Sequence, residues 1–169
     1  MVCENKDAGE DAEMPKLSSG LLLFRHGRSL EVLLVHPGGP FWSRRDAGAW
    51  SLPKGEHEPS DDSLLAARRE FAEELGMPAP DGEALDLGSV RQPSGKLVHA
   101  WALGADLDVS EINSNTFALE WPRGSGKVEH FPEVDRAGWF SLPAAREKLI
   151  GGQLAFLELL RERIGAAGA

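Results

Sequence analysis

The chain has 169 residues, 41% of them hydrophobic, which is enough to bury one core and short for two comfortable domains. A formal net charge of −9 argues against broad attraction to nucleic-acid backbone or to an anionic membrane, so neither a nucleic-acid polymer nor a membrane is an expected partner. The only cysteine, Cys3, rules out an internal disulfide and a cysteine-built zinc site.

The apolar runs are far too short to span a bilayer, and the amino terminus lacks the basic-then-apolar pattern of a signal peptide. A reducing cytoplasm is therefore the expected compartment. Residues 1–16 are rich in acids and poor in large apolar groups and read as a disordered acidic tail, leaving 17–169 as one domain. From Leu17, LSSGLLLFR and LEVLLVH read as two strands joined by a turn at His26-Gly27-Arg28-Ser29. Their unbroken apolar character predicts burial on both faces.

Pro37 to Ala49, PGGPFWSRRDAGA, reads as a surface loop. In a binding role its Trp42 stacks on a base or ring and Arg44 and Arg45 meet phosphate. The same composition also describes a loop that packs its own aromatic beside solvated charges. Ala49–Leu52 is a short strand candidate stopped by Pro53, and the loop through Lys54-Gly55 leads into a helix whose N-cap falls near Ser60–Asp62. Leu64, Ala67, Phe71 and Leu75 form its buried stripe, and Gly76 and Pro78 end it.

Glu70, Glu73 and Glu74 then lie at i, i+3 and i+4 on another side of that helix. Like charges at this spacing repel by roughly a few tenths of a kcal/mol per pair. An oxygen-rich cluster of this kind suits a hard divalent cation such as Mg²⁺ or Mn²⁺. Arg69 is spaced to reach Glu73.

Leu85–Val90 and Lys96–Leu103 read as strands around the turn Gln92-Pro93-Ser94-Gly95. His99, in the second, is either an acid–base or phosphate contact or a packed structural histidine. Asn115–Trp121 reads as another strand, followed by the glycine-rich basic loop 123–127. Trp139–Pro143 reads as a last strand and Ala144–Ile150 and Gln153–Ile164 as helices, with Leu154, Leu157 and Leu160 packing on the sheet, so this end reads as structural.

Gly55, an acid at Asp61 and the run Arg69-Glu70-Phe71-Ala72-Glu73-Glu74-Leu75-Gly76-Met77 together resemble the Nudix box of the Nudix hydrolases; the single departure is Asp61, where the family has Glu. The resemblance implies an α/β fold, an α/β/α sandwich with a mixed, partly closed sheet. It implies a metal-dependent pyrophosphohydrolase that cuts a diphosphate bond in a nucleotide derivative. Glu73 and Glu74 are the implied metal ligands, Glu70 a further ligand or the base that activates water, and the carbonyl of Lys54 a backbone ligand. Arg69 is the implied orienting partner, and Gly55 and Asp61 support the box. The family often draws one more ligand or base from outside the box, for which Glu120, Glu129 and Glu133 are candidates. Mg²⁺ or Mn²⁺ is the implied cofactor.

Pro53-Lys54-Gly55 is similar to the branch that includes the diadenosine polyphosphate hydrolases, diphosphoinositol polyphosphate hydrolases and RNA 5′-pyrophosphohydrolases. A lysine there suits a highly charged substrate, and the acidic chain favours a small nucleotide, first a dinucleoside polyphosphate. ADP-ribose-like sugar nucleotides and damaged nucleoside triphosphates fit the same chemistry. A reading from another class is a non-catalytic Nudix domain that binds a nucleotide as a sensor or partner module.

Overall fold

A computed structural model describes residues 14–167, so positions 1–13 of the expected tail lie outside the described residues. The strands are β1 (Leu17–His26), β2 (Leu30–Pro37), β3 (Lys54–His57), β4 (Leu85–Arg91), β5 (Leu97–Gly104), β6 (Thr116–Glu120), β7 (Val128–Pro132) and β8 (Val134–Ser141). The helices are α1 (Ser63–Leu75), α2 (Leu142–Lys148) and α3 (Ala155–Ala167), with a short 3₁₀ turn at Gly151–Gln153. Among the described residues no helix is long and apolar enough to cross a membrane.

The main sheet runs β4-β5-β1-β2-β8, with β3 also paired to β1, and it does not close on itself. The β1·β5 pairing is parallel and the others antiparallel, so the sheet is mixed. β1 is the strand that makes a cleft possible. One of its edges pairs with β5 from Leu17 to Phe24, while the other is divided between β3 at Leu17–Gly20 and β2 at Phe24–His26. Between those two partners the sheet forks. The segment Trp50–Pro53 is wedged into the fork: Ser51 exchanges backbone hydrogen bonds of 2.9 and 2.8 Å with Val35, and the carbonyl of Pro53 accepts from the N–H of Leu21 at 3.0 Å.

The apolar strands are buried on both faces, as their sequence predicts. Leu22, Val32 and Leu34 face a core completed by Leu142, Phe156, Leu157 and Leu160. Leu21, Leu23, Leu33 and Val35 face a second core completed by Ala67, Phe71 and Leu75 of α1. Helices therefore cover both sides, giving the α/β/α sandwich.

Several boundaries differ from the sequence reading. Lys54–His57 is a strand rather than loop, because its backbone pairs with β1 although its side chains show no apolar alternation. Pro143 lies in the first turn of α2 instead of ending a strand, with Ser141 as N-cap, a place where proline's missing N–H costs nothing. Ala66 joins the buried stripe of α1 while Leu64 is only partly covered. Leu154 precedes α3 and is 38% exposed, and Phe156 takes the buried place instead. β6 and β7 form a separate two-stranded hairpin, and the basic loop 123–127 lies in its turn.

Gly76 ties this hairpin's base to α1. It caps the helix at φ +72°, its N–H donating to the carbonyl of Ala72 at 2.8 Å. A Cβ there would lie 2.1 Å from the carbonyl oxygen of Asn113. Next to this contact, the N–H of Asn115 donates to the carbonyl of Glu73 at 2.9 Å and the N–H of Glu133 to the carbonyl of Asn115 at 2.8 Å. The end of α1 thereby sets where Glu133 stands. A left-handed non-glycine residue costs roughly 1–2 kcal/mol, and the clash adds to it. Gly76→Ala should lower the unfolding free energy in urea by about 2 kcal/mol or more, and a loss under about 0.5 kcal/mol would show that the cap does not hold the segment.

Candidate active site

Local chemistry aims α1 at the fork. The Asp62 carboxylate accepts from the N–H of Leu65 at 2.9 Å and starts the helix, and the buried Ala66, Ala67, Phe71 and Leu75 fix its rotation. That rotation turns Glu70 and Glu74 onto β3. A Cβ on Gly55 would lie 2.0 Å from the Glu70 carboxylate, so a larger residue there would displace that carboxylate from the strand. The N–H of Lys54 donates to Oε2 of Glu74 at 3.3 Å, a long bond that leaves most of that carboxylate's acceptor capacity unused.

Beside this contact is a cavity of about 240 Å³. Val35, Pro37, Trp42, Ala49, Val134 and Ile150 form its apolar walls, and Ser51, Lys54, Glu74 and Glu133 its polar part. The carboxylates are far from comfortable there. Burial, helped by Glu70 and Glu133, pushes the Glu74 carboxyl up to about 8 against the pull of Lys54. Burial, and then Glu73, also raise Glu70, with Arg69 opposing. Glu133 is raised by burial and then by Glu73. The Lys54 ammonium is lowered by burial and then by Lys96, with Glu74, Glu56 and Glu70 working the other way.

Among the described residues no three His, Cys, Asp or Glu side chains are already gathered into a metal-holding group. The donor set nonetheless fits a hard divalent cation: it is all oxygen, acidic, under-bonded and mutually repulsive. Glu70, Glu73 and Glu74 are the residues that would hold one, and Glu133 faces the same cavity.

The other expected site residues fall into two groups. Trp42 lines the cavity, with the Arg45 guanidinium 5.4 Å from its ring centroid on the same loop, while Arg44 is exposed. Glu120 and Glu129 do not line it. Glu120 accepts from the N–H of Gly126 at 2.9 Å inside the hairpin turn, and Glu129 is exposed on β7. His99 lies outside the cavity, bonded to Asp86 at 2.7 Å and Ser89 at 3.0 Å and stacked on Trp101. Arg69 contacts Glu70 at 3.5 Å rather than the expected Glu73. Asp61 accepts from the N–H of Glu58 at 2.9 Å and closes the loop before α1.

Gln153 was not legible as a contributor. Fully buried, it accepts from the N–H of Leu52 at 3.0 Å and donates to the Ser51 hydroxyl at 2.9 Å, pinning the wedge just before Lys54. A glutamine ahead of an amphipathic helix carries no sequence signal of that role.

Glu74 makes stability depend on pH. Its carboxyl rises from about 4.5 to about 8 on folding, so between those values the native state holds a proton that the unfolded chain has released, and stability falls as pH rises through that window. Glu74→Gln, neutral throughout, should raise the Tm of the chelator-treated protein at pH 8, with a gain that shrinks toward pH 5. A lower Tm at pH 8, or a gain independent of pH, would contradict the assignment. Calorimetry at a series of pH values decides.

A family model described as the NUDIX domain matches residues 14–160. An RNA pyrophosphohydrolase of Caulobacter vibrioides is 40% identical over 58 residues, which cover 31% of this chain and 34% of that protein, so the match spans about a third of the curated relative's length. The Nudix domain of Shewanella oneidensis NrtR, solved with ADP-ribose, superposes with a TM-score of 0.63 at 20% identity over 97% of this chain and 99% of that one. An Ap4A hydrolase of C. elegans gives 0.59 at 21% identity, covering 90% and 99%. At such identities these two structures speak for the fold alone, and it is the family match over most of the chain that makes this protein a member of the Nudix family.

Proposed function

We propose that the protein is a divalent-cation-dependent pyrophosphohydrolase of a small nucleotide derivative, with a dinucleoside polyphosphate as the first choice of substrate and Mg²⁺ or Mn²⁺ as the ion. The observation that carries this reading is the meeting of Glu74, Glu133 and Lys54 in one cavity at the fork of the sheet, with Glu70 against the adjacent strand. A purely structural helix face has no reason to turn acids into a cavity where burial raises them.

The chain's own groups divide the work. Glu73 and Glu74, with Glu70, hold the ion, which when bound neutralises phosphate charge and acidifies water. Lys54 meets the phosphate oxygens, and a bound phosphate favours the ammonium form that burial opposes. Trp42 stacks on the base, its own ring supported by Arg45, and Arg44 reaches phosphate from the loop. Glu133 stands on a different element from the helix acids and faces the same cavity, so it takes the proton from the attacking water as the water oxygen bonds to phosphorus and the P–O bond of the leaving phosphate breaks. The net charge of −9 favours a small nucleotide over an RNA chain.

Chromatographic separation of the nucleotide products tests this on diadenosine polyphosphates, ADP-ribose and oxidised nucleoside triphosphates with Mg²⁺ or Mn²⁺. Glu74→Gln and Glu133→Gln should each lower kcat at least about tenfold, whereas Glu120→Gln and Glu129→Gln should stay within about twofold. Nucleotide binding without turnover of any substrate would overturn the enzyme reading in favour of a binding module.

A further inference from the structure

His36 ends up fully buried near the end of β2, where both ring nitrogens meet oxygen: Nδ1 lies 2.9 Å from Oδ1 of Asp135 and Nε2 lies 2.6 Å from the carbonyl oxygen of Arg45. A backbone carbonyl only accepts, and so does an ionised carboxylate. A neutral imidazole carries one hydrogen and makes one of these bonds, leaving the other nitrogen's lone pair facing an oxygen lone pair with no room for water. Only a ring protonated on both nitrogens makes both.

The surroundings can carry that charge. From β8, Asp135 is the direct counter-ion, and Arg136 lies 3.6 Å from the same carboxylate. From the loop, Asp46 accepts from the Trp50 indole N–H at 2.8 Å, and from α2 Lys148 pairs with Asp46. The Trp50 ring itself packs edge-on against His36 at 5.2 Å. Asp135 is thus the acid in contact with the ring, while Arg136 reaches it only through Asp135, Asp46 is taken up by Trp50 and Lys148, and the Arg45 guanidinium turns to the Trp42 ring.

The two elements that His36 joins both reach the candidate cavity. Arg45 closes the turn that begins at Trp42, its N–H donating to the Trp42 carbonyl at 2.9 Å, and Trp42 is a cavity wall. Asp135 follows two residues after Glu133. Among the described residues, the bond from His36 is the one hydrogen bond that ties loop residues 40–45 to another part of the protein; the remaining bonds of that stretch close within residues 39–45.

We propose that His36 is a positioning residue: as an imidazolium it latches the turn carrying Trp42 and Arg45 to the strand that carries Glu133, and so sets the width of the substrate cavity. Its effect on turnover rests on the pyrophosphohydrolase reading; the latch itself does not. Loss of the Nε2 proton removes the hydrogen bond that holds the turn to β2, and loss of the Nδ1 proton releases that latch from Asp135.

Nitrogen NMR of the histidine rings in the wild-type protein at pH 6.5 tests the latch without reference to activity. Both His36 nitrogens should show the shifts of protonated imidazolium, with slowly exchanging protons; one bare nitrogen would overturn the proposal. Limited trypsin digestion gives a second arm. His36→Gln, which cannot donate in two opposite directions, should cleave after Arg44 or Arg45 at least about fivefold faster than wild type under native conditions. Equal cleavage by a folded variant would refute the latch. If this variant does not fold, His36→Phe, which keeps a buried ring and makes neither bond, takes its place with the same expectation. With a nucleotide that is turned over, His36→Gln should raise KM several-fold and change kcat less than about twofold; the reverse split would mean that His36 does not act through the substrate loop. Should no nucleotide be turned over, the first two arms still decide the latch.

Discussion

The packing of α1 against β3 governs this molecule's chemistry. Phe71 and Leu75 drive the helix into the core, and the same rotation presses Glu70 onto the bare backbone of Gly55 and brings Glu74 to the N–H of Lys54. Hydrophobic burial, amounting to roughly 1.5–3 kcal/mol for each such side chain, is strong enough to hold acids where they would not settle by themselves. The site is a local electrostatic cost carried by a well-packed scaffold. A divalent cation is the simplest species that turns that cost into binding energy.

The forked sheet explains why this happens at a cleft. β1 changes partner halfway along one edge, and the gap is filled by the wedge Trp50–Pro53 instead of a full strand. Each side of the gap contributes something different. The wedge leads into Lys54, β2 supplies Val35 and His36, and the return from the hairpin delivers Glu133. Long-range bonds from Gln153 and Asn115 fix those pieces, so elements more than a hundred residues apart in sequence share one small cavity.

The two-faced burial of β1 and β2, the apolar stripe of α1 and the cluster of acids were legible because each follows from a short-range pattern: continuous apolar runs, helical spacing, and i, i+3, i+4 repetition. The resemblance to the Nudix box pointed to Gly55 and Lys54, and in the structure Gly55 lies beneath the Glu70 carboxylate. What was not legible depends on contacts between distant segments. Nothing local distinguishes Glu133 from Glu120 or Glu129; its place on the cavity wall follows from the Asn115 bridge to α1. His36 reads as the tail of an apolar strand and Gln153 as part of a structural terminus, since a buried polar group is recognised only by its partners. Arg69 contacts Glu70 at 3.5 Å instead of Glu73, a detail that helical spacing alone does not set.

On the proposed function, buried, protonated carboxylate at this cleft should be exchanged for bound cation. Calorimetric titration of Mn²⁺ at pH 7, repeated in buffers of different ionisation enthalpy, measures the exchange directly. With Glu74 raised to about 8, binding should release about one proton or more per ion, and Glu74→Gln should bind more weakly with that release reduced. Tight binding with no proton release, or no binding at all, would contradict the account.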